Sequence, residues 1–327
     1  MPARQPALRY LSRSDVEASA LSASEILHLV TAAFEAKGKR QAEMPPKPGI
    51  RPYPGAYLHA MPAFLPRMEA AGVKWFGAFP DNLKRGLPYT SGLILLSDTE
   101  TGLPLAVMDA TWITSQRNGA VTALAARHLA RPDSRTLGIL GCGVQARAHV
   151  AALRQVLPHL SHVRAHDLLA DHQQAFLNEV GRIYDLHVEG VPSPREVFRG
   201  SDVVVTTGSV FMRTKPPIEP HWLEAGGFGC ALGLDAYWQA DALRAVEKLC
   251  TDDTDQLRYY SAQGYFDALP PIHADLGEIV AGRRPGRESA GERILILNLG
   301  AAIADIAVAA RVYQVALQKG LGTELPL

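Results

Sequence analysis

The sequence predicts an α/β chain, a doubly wound parallel sheet inserted into an α+β domain. Three observations carry that expectation. Apolar strand segments alternate with helical ones over residues 135–300, and a glycine turn joins the first of those strands to its helix. The stretch before them, residues 57–109, reads instead as short antiparallel strands closed by a hairpin. With 327 residues the chain has room for two domains. An apolar fraction of 47% with 20% charged residues is that of a globular protein. The 33 basic and 33 acidic residues cancel, leaving no bulk charge to recruit nucleic acid or an anionic membrane.

Each element has its own signal. Ser22 and Glu25 form an S-x-x-E capping box ahead of Ile26, Leu29, Val30, Ala33 and Phe34 at helical spacing. Gly38 is expected to end that helix in the left-handed conformation. The proline-rich run MPPKPGIRPYPG cannot be helix and leads, extended, into a sheet. VKWFGAF is a strand with Lys74 at its middle, and GLILLSD and LPLAVMD flank TETG, a hairpin turn around Gly102. Residues 117–130 read as one helix opened by Arg117 and stopped by Pro132. RTLGIL, VRAHD, DVVVTT, GGFGCAL, KLCTD and RILILNLG are then six strands of a parallel sheet. Helices are expected at RAHVAALRQVL and at 171–183. The final helix, AAIADIAVAARVYQVALQKG, is closed by Gly320 and follows the completed sheet, so it returns to the first domain. The expected domains are 1–118 with 300–327, and 119–299.

Cys142, Cys230 and Cys250 are too few and too scattered for a disulfide framework or a zinc site, and the histidines lack ligand spacing. No apolar signal segment opens the sequence, and the apolar stretch 294–310 is short and broken by Asn298 and Asp305. A cytoplasmic protein without a membrane span or metal is expected.

Gly141-Cys142-Gly143-Val144-Gln145-Ala146 fits G-x-G-x-x-G/A between a strand and a helix. Gly141 allows the tight turn, Gly143 lets the backbone approach a pyrophosphate, and Ala146 lets helix pack closely on strand. The positive helix end and its free N–H groups hold the phosphates. Asp167, 26 residues beyond Gly141, ends the second strand, where a carboxylate accepts from ribose hydroxyls and repels a 2′-phosphate. Leu168 and Leu169 supply no arginine for that phosphate, so NAD is expected over NADP. Thr206 and Thr207, at the end of the third strand, either border the cofactor or are ordinary strand threonines. Asn298, in RILILNLG, is counted with the cofactor-binding residues. The alternative is a flavodoxin-like sheet in which Asp167 caps a helix.

Three residues outside that Rossmann-type nucleotide site are candidates for chemistry. Lys74 in apolar surroundings loses charge easily and can act as a base, or it is an edge-strand lysine that discourages aggregation. Asp235, after the fourth strand, orients an amine or shuttles a proton, or caps a helix starting near Ala236. Arg117 clamps a carboxylate or makes an interdomain salt bridge.

The run from GVKWFGAFPDNLKRGLPYT through QRNGAVTALAARHL to GILGCGVQARAH resembles the ornithine cyclodeaminase/mu-crystallin family, as do HAMPAF before it and RILILNLGAAIADIAVAARVY at the end. The resemblance implies a first domain that binds substrate and forms a homodimer, and an inserted domain that binds NAD(P). It matches the family's G-V-K-W lysine to Lys74, its R-T-G/A-A arginine to Arg117 and its catalytic aspartate to Asp235. The family's Q-P-x-R arginine falls in MPPKPGIR, where Lys47 or Arg51 takes its place, and Asn118 replaces the threonine after Arg117. After Asp235, AYWQADAL departs from P-G-K-x-E-L, which argues against ornithine as substrate. Tyr237 and Trp238 there either narrow the pocket or pack a domain interface. The resemblance implies an NAD(H)-dependent oxidoreductase acting on a C–N bond, interconverting an α-amino or imino acid with its imine or 2-oxo acid. A cyclodeaminase with catalytic NAD is the alternative. A non-catalytic binding protein is a third reading, set against the presence of both Lys74 and Asp235.

Overall fold

The computed structural model describes residues 7–208, 216–234, 236–266 and 269–327. The chain divides into two compact units, Met1–Arg117 with Ala301–Leu327, and Asn118–Gly300.

The first unit opens with β1 (Ala7–Leu11), α1 (Arg13–Ala18) and α2 (Ala23–Gly38). At the start of α2 the Ser22 hydroxyl accepts from the Glu25 N–H at 3.1 Å. The Glu25 carboxylate does not return to the cap; it accepts from Arg311 Nε at 2.7 Å, so only half of the expected box forms. Gly38 stays in the last helical turn, and Arg40, at φ 57°, is the left-handed residue instead. β2 (Gly49–Ile50), β3 (Tyr57–Leu65), β4 (Ala70–Ala78), β5 (Thr90–Ser97) and β6 (Pro104–Asp109) form an antiparallel ladder. In the hairpin between β5 and β6, Asp98 accepts from the Thr101 N–H at 2.7 Å and Gly102 has φ 74°. β4 is paired on both sides, with Lys74 opposite Met61 of β3 and Ile94 of β5. Lys74 is therefore not an edge-strand lysine.

α3 (Thr111–Leu129) begins earlier than expected, because Asp109 accepts from the Thr111 N–H at 2.8 Å and from its hydroxyl at 3.1 Å. Arg117 consequently lies about two turns inside the helix instead of opening it.

In the second unit the elements are β7 (Thr136–Leu140), α4 (Val144–Leu153), β8 (His162–His166), α5 (Ala170–Ile183), β9 (His187–Gly190), α6 (Pro194–Phe198), β10 (Val203–Thr206) and β11 (Phe228–Ala231). They continue as α7 (Ala240–Arg244), β12 (Lys248–Thr251), α8 (Thr254–Ser261), β13 (Ala274–Asp275), α9 (Leu276–Val280) and β14 (Ile294–Leu297). All eight strands are parallel, in the order β13-β12-β14-β11-β10-β7-β8-β9. This is an α/β fold of the Rossmann type. The two strands beyond the expected six lie at the sheet's edges. HVEG is mostly exposed and the other has two residues, so neither carries an apolar run. The central strands are buried throughout, which is why they read as unbroken apolar segments. The helix after Asp235 starts at Ala240, so no helix begins near Ala236.

α10 (Ala302–Lys319) and β15 (Thr323–Pro326) complete the first unit, whose sheet runs β15-β1-β6-β5-β4-β3-β2. α10 packs across β3, β4 and β5 and against α2, and Gly320 ends it at φ 65°. The approach is close at Gly72, where a Cβ would lie 2.3 Å from the Leu95 carbonyl oxygen and 3.1 Å from Ile306 Cδ1. On the face toward α10, Met61, Ala63, Ile94, Leu96, Ala106 and Met108 are buried. The opposite face leaves Trp75 and its cross-strand neighbour Leu93 exposed. Among the described residues no helix is long and apolar enough to cross a membrane.

Candidate active site

Three elements of the first unit bring charged side chains together on the α10 side of its sheet. β4 turns Lys74 inward, α3 carries Thr114 and Arg117, and α10 carries Asp305 in its first turn. Asp305 Oδ1 accepts from Lys74 Nζ at 2.7 Å and from Arg117 Nε at 2.9 Å. Lys74 also donates to Thr114 Oγ1 at 3.4 Å, and its Nζ lies 5.0 Å from the centre of the Phe76 ring. All three charged groups are buried. Arg117 spends only Nε; among the described residues neither Nη has a hydrogen-bond partner.

Burial and the adjacent Arg117 charge bring Lys74 down from 10.5 to about 7, against the upward pull of Asp305. Lys47 is buried as well, and its charge acts in the same downward direction. Arg51 is exposed and bears on His59 of β3. Burial, then Lys47, Arg51 and Lys74, push His59 down to about 3, so its imidazole is neutral near pH 7. The first unit thus offers an amine that titrates near neutrality beside a guanidinium with its fork unspent. That combination can grip a carboxylate and move a proton next to it.

In the second unit the glycine turn follows β7 at the point where strand order reverses between β8 and β10. Ligands of open α/β sheets bind at such switch points. Gly141 has φ 96°, and a Cβ on it would sit 2.5 Å from the Gly208 nitrogen. Over Gly143 there is open space, with nothing within 4 Å of a Cβ position. Gly143 is also the N-cap of α4 and supplies no side-chain cap. Ala146 is fully buried, Val144 is exposed, and Gln145 Oε1 accepts from Asn118 Nδ2 at 3.2 Å.

Asp167 accepts from the Cys142 N–H at 2.6 Å and from the Leu169 N–H at 2.9 Å. It braces the turn and still has lone pairs for hydroxyl donors. The Thr207 hydroxyl donates to the Gly141 carbonyl at 2.6 Å, bracing it from the other side. Thr206 faces the core, its hydroxyl 3.4 Å from Trp238 Nε1 and 3.5 Å from the Cys230 carbonyl oxygen. Asn298 is buried; its Nδ2 donates to Thr122 Oγ1 at 3.0 Å, and its Oδ1 has no partner among the described residues. An uncapped helix start above an open glycine, a carboxylate on the neighbouring strand and an orphaned buried acceptor fit a dinucleotide. Asp235 lies outside the described residues.

The sequence profile of the ornithine cyclodeaminase/mu-crystallin family matches residues 8–320. The chain belongs to this family. Alanine dehydrogenase of Archaeoglobus fulgidus is 36% identical over 324 residues, covering 96% of this chain and 97% of that protein. The structure of Thermococcus litoralis Δ1-pyrroline-2-carboxylate reductase with NADH and L-proline aligns with a TM-score of 0.88 at 32% identity, covering 97% of this chain and 99% of that one. A dimeric archaeal alanine dehydrogenase with bound NAD also aligns at 0.88, with 33% identity over 98% of this chain and all (100%) of that one.

In this member of the ornithine cyclodeaminase/mu-crystallin family, Asp305 is the site residue that the sequence pattern does not announce. Read along the chain it only interrupts an apolar run. The available signal is its place among Ala, Ile and Val on a buried helix, where a carboxylate needs cationic partners. Trp238 falls among the apolar side chains of the second unit. It is buried in the second unit's own core, edge-on to Phe198. Tyr237 is buried in the same core, its hydroxyl against Gly208.

Proposed function

We propose that this chain interconverts a small α-amino or imino acid with its imine or 2-oxo acid, in the manner of amino-acid dehydrogenases and ketimine reductases. It is an NAD(H)-dependent oxidoreductase acting on a C–N bond. The observation that carries the substrate reading is the buried grouping of Lys74 with Arg117 on one Asp305 oxygen, the two Nη groups of Arg117 having no partner among the described residues.

Arg117 grips the substrate carboxylate through Nη1 and Nη2, with the buried Lys47 adding positive charge; Arg51 is the more exposed substitute for that role. Lys74 Nζ gives a proton to the substrate nitrogen in the reductive direction and takes one away in the oxidative direction. Asp235 is assigned to stabilising the positive charge on that nitrogen. The N–H groups at Val144, Gln145 and Ala146, with the turn Gly141–Gly143, hold the pyrophosphate, and Asp167 takes the ribose hydroxyls. Asn298 Oδ1 is a buried acceptor for an amide N–H, and Thr207 keeps the turn in shape. NAD, when bound, supplies or accepts the hydride. Thr206, turned into the core, contributes through packing.

The first unit is assigned to substrate binding and dimer formation, the second to NAD. The dimeric archaeal relative supports a dimer, and the sheet face that exposes Trp75 and Leu93 is assigned to the contact with a second copy of the chain. Three free, buried cysteines support a reducing compartment, the cytoplasm.

The test is NADH consumption with Δ1-pyrroline-2-carboxylate and, separately, with pyruvate or other 2-oxo acids plus ammonia, with NADPH in parallel. Consumption is expected and ranks the acids. Release of ammonia from a diamino acid without net NADH change would replace this reading with a cyclodeaminase.

A further inference from the structure

We propose that Asp305 is a positioning residue for this reaction, holding the Lys74 amine and the Arg117 guanidinium in one arrangement through a single carboxylate oxygen. The inference rests on the roles given above to Lys74 and Arg117. Oδ1 takes both cations, Lys74 Nζ at 2.7 Å and Arg117 Nε at 2.9 Å. A guanidinium that serves only to neutralise a buried carboxylate normally presents two parallel N–H groups to its two oxygens. Here Oδ2 is buried and has no partner among the described residues, while both Nη of Arg117 are also unpartnered. A structural ion pair would have closed those bonds, since an unsatisfied buried oxygen is costly. The geometry instead leaves, among the described residues, both Nη groups of Arg117 and one of the three Nζ protons of Lys74 unspent, and it fixes the spacing of the two cations. Asp305 sits in the first turn of a packed helix, so its carboxylate is held by α10 and not by a mobile loop.

Lys74 is faced by Thr114 and Arg117 of α3, Asp305 of α10, Lys47 from the segment before β2, His59 of β3 and Phe76 of its own strand. Among the described residues Asp305 is the one acid in that set. It is therefore the group that lets Lys74 keep a proton beside other cations, and it does so without touching the substrate.

The experiment follows the titration of Lys74 itself, independent of any substrate. Protein carrying lysine labelled with ¹³C at Cε is titrated by NMR, and the Lys74 signal is identified by its loss in Lys74→Arg. In Asp305→Asn, which keeps the shape and removes the charge, the Lys74 midpoint is expected to fall by at least about one pH unit, a tenfold change in acid dissociation. Turnover of L-alanine or L-proline with NAD is expected to fall in parallel. An unmoved midpoint in folded Asp305→Asn overturns the proposal. Should that variant not fold, Asp305→Glu retains the charge and displaces the bridging oxygen by one methylene. It is expected to turn over at least tenfold more slowly, and a wild-type rate would overturn the proposal. If the midpoint moves but Lys74→Ala turns over normally, the coupling to Asp305 stands and the proton-transfer role of Lys74 fails.

Discussion

Lys74 is buried between a guanidinium and a carboxylate, and the balance of those effects leaves its amine near neutrality. This has a definite pH signature. Below about 7 the amine holds its proton and can donate it; above, it is a free base. Oxidation of the amino acid is expected to rise with pH and level off above that point, while reduction of the imine falls over the same interval. Profiles of kcat/KM in both directions check this. Lys74→Ala is expected to lower turnover by about 10²–10³-fold while NADH binding persists. Asp167 braces the glycine turn through the Cys142 N–H, and the proposed function gives its carboxylate the ribose hydroxyls as well. Asp167→Ser is expected to weaken NADH about tenfold, through loss of a charged acceptor, and to relax the preference against NADPH. Fluorescence titration with both cofactors measures this. An unchanged ratio of affinities would remove Asp167 from cofactor selection.

At the scale of elements, the site depends on how closely α10 lies on β4. Asp305 reaches Lys74 only because α10 passes over Gly72, where neither Ile306 nor the Leu95 carbonyl leaves room for a methyl group. Gly72→Ala is expected to cost about 1–3 kcal/mol of stability, the range for overpacking a dense core. Thermal or urea unfolding reads that cost, and turnover should fall further than stability accounts for if the helix lifts. α3 matters in a different way. Its start is set by Asp109, and that early start puts Thr114 beside Lys74 and Arg117 beside Asp305.

For the whole molecule, the sheet of the first unit is apolar on both faces, yet α10, backed by α2, covers only one. Trp75 is 44% and Leu93 47% exposed on the uncovered face, flanked by half-buried Val73 and Leu95. A contiguous apolar face of that kind marks an interaction surface. Leu93→Lys places a charge at its centre and is expected to convert the proposed dimer to a monomer in light-scattering measurements, with the far-ultraviolet spectrum retained. A dimer that survives the change would move the interface elsewhere.

Much of this was legible in order along the chain. The central parallel strands, the glycine turn after β7, the hairpin at Gly102 and the C-terminal helix each have a signature written within a few residues, because hydrogen-bonded turns and helical or strand periodicity are local. Lys74 and Arg117 stood out through residue type and resemblance. The tertiary structure alone decided that Lys74 lies on a central strand facing inward, that Trp238 belongs to a core, and that β9 and β13 extend the sheet. It also supplied Asp305, which lies 231 residues from Lys74 and 188 from Arg117. No local period encodes such a pairing. It exists because burying two cations on the α10 side of one sheet requires an anion there, and only the packing of α10 across β4 determines which residue provides it.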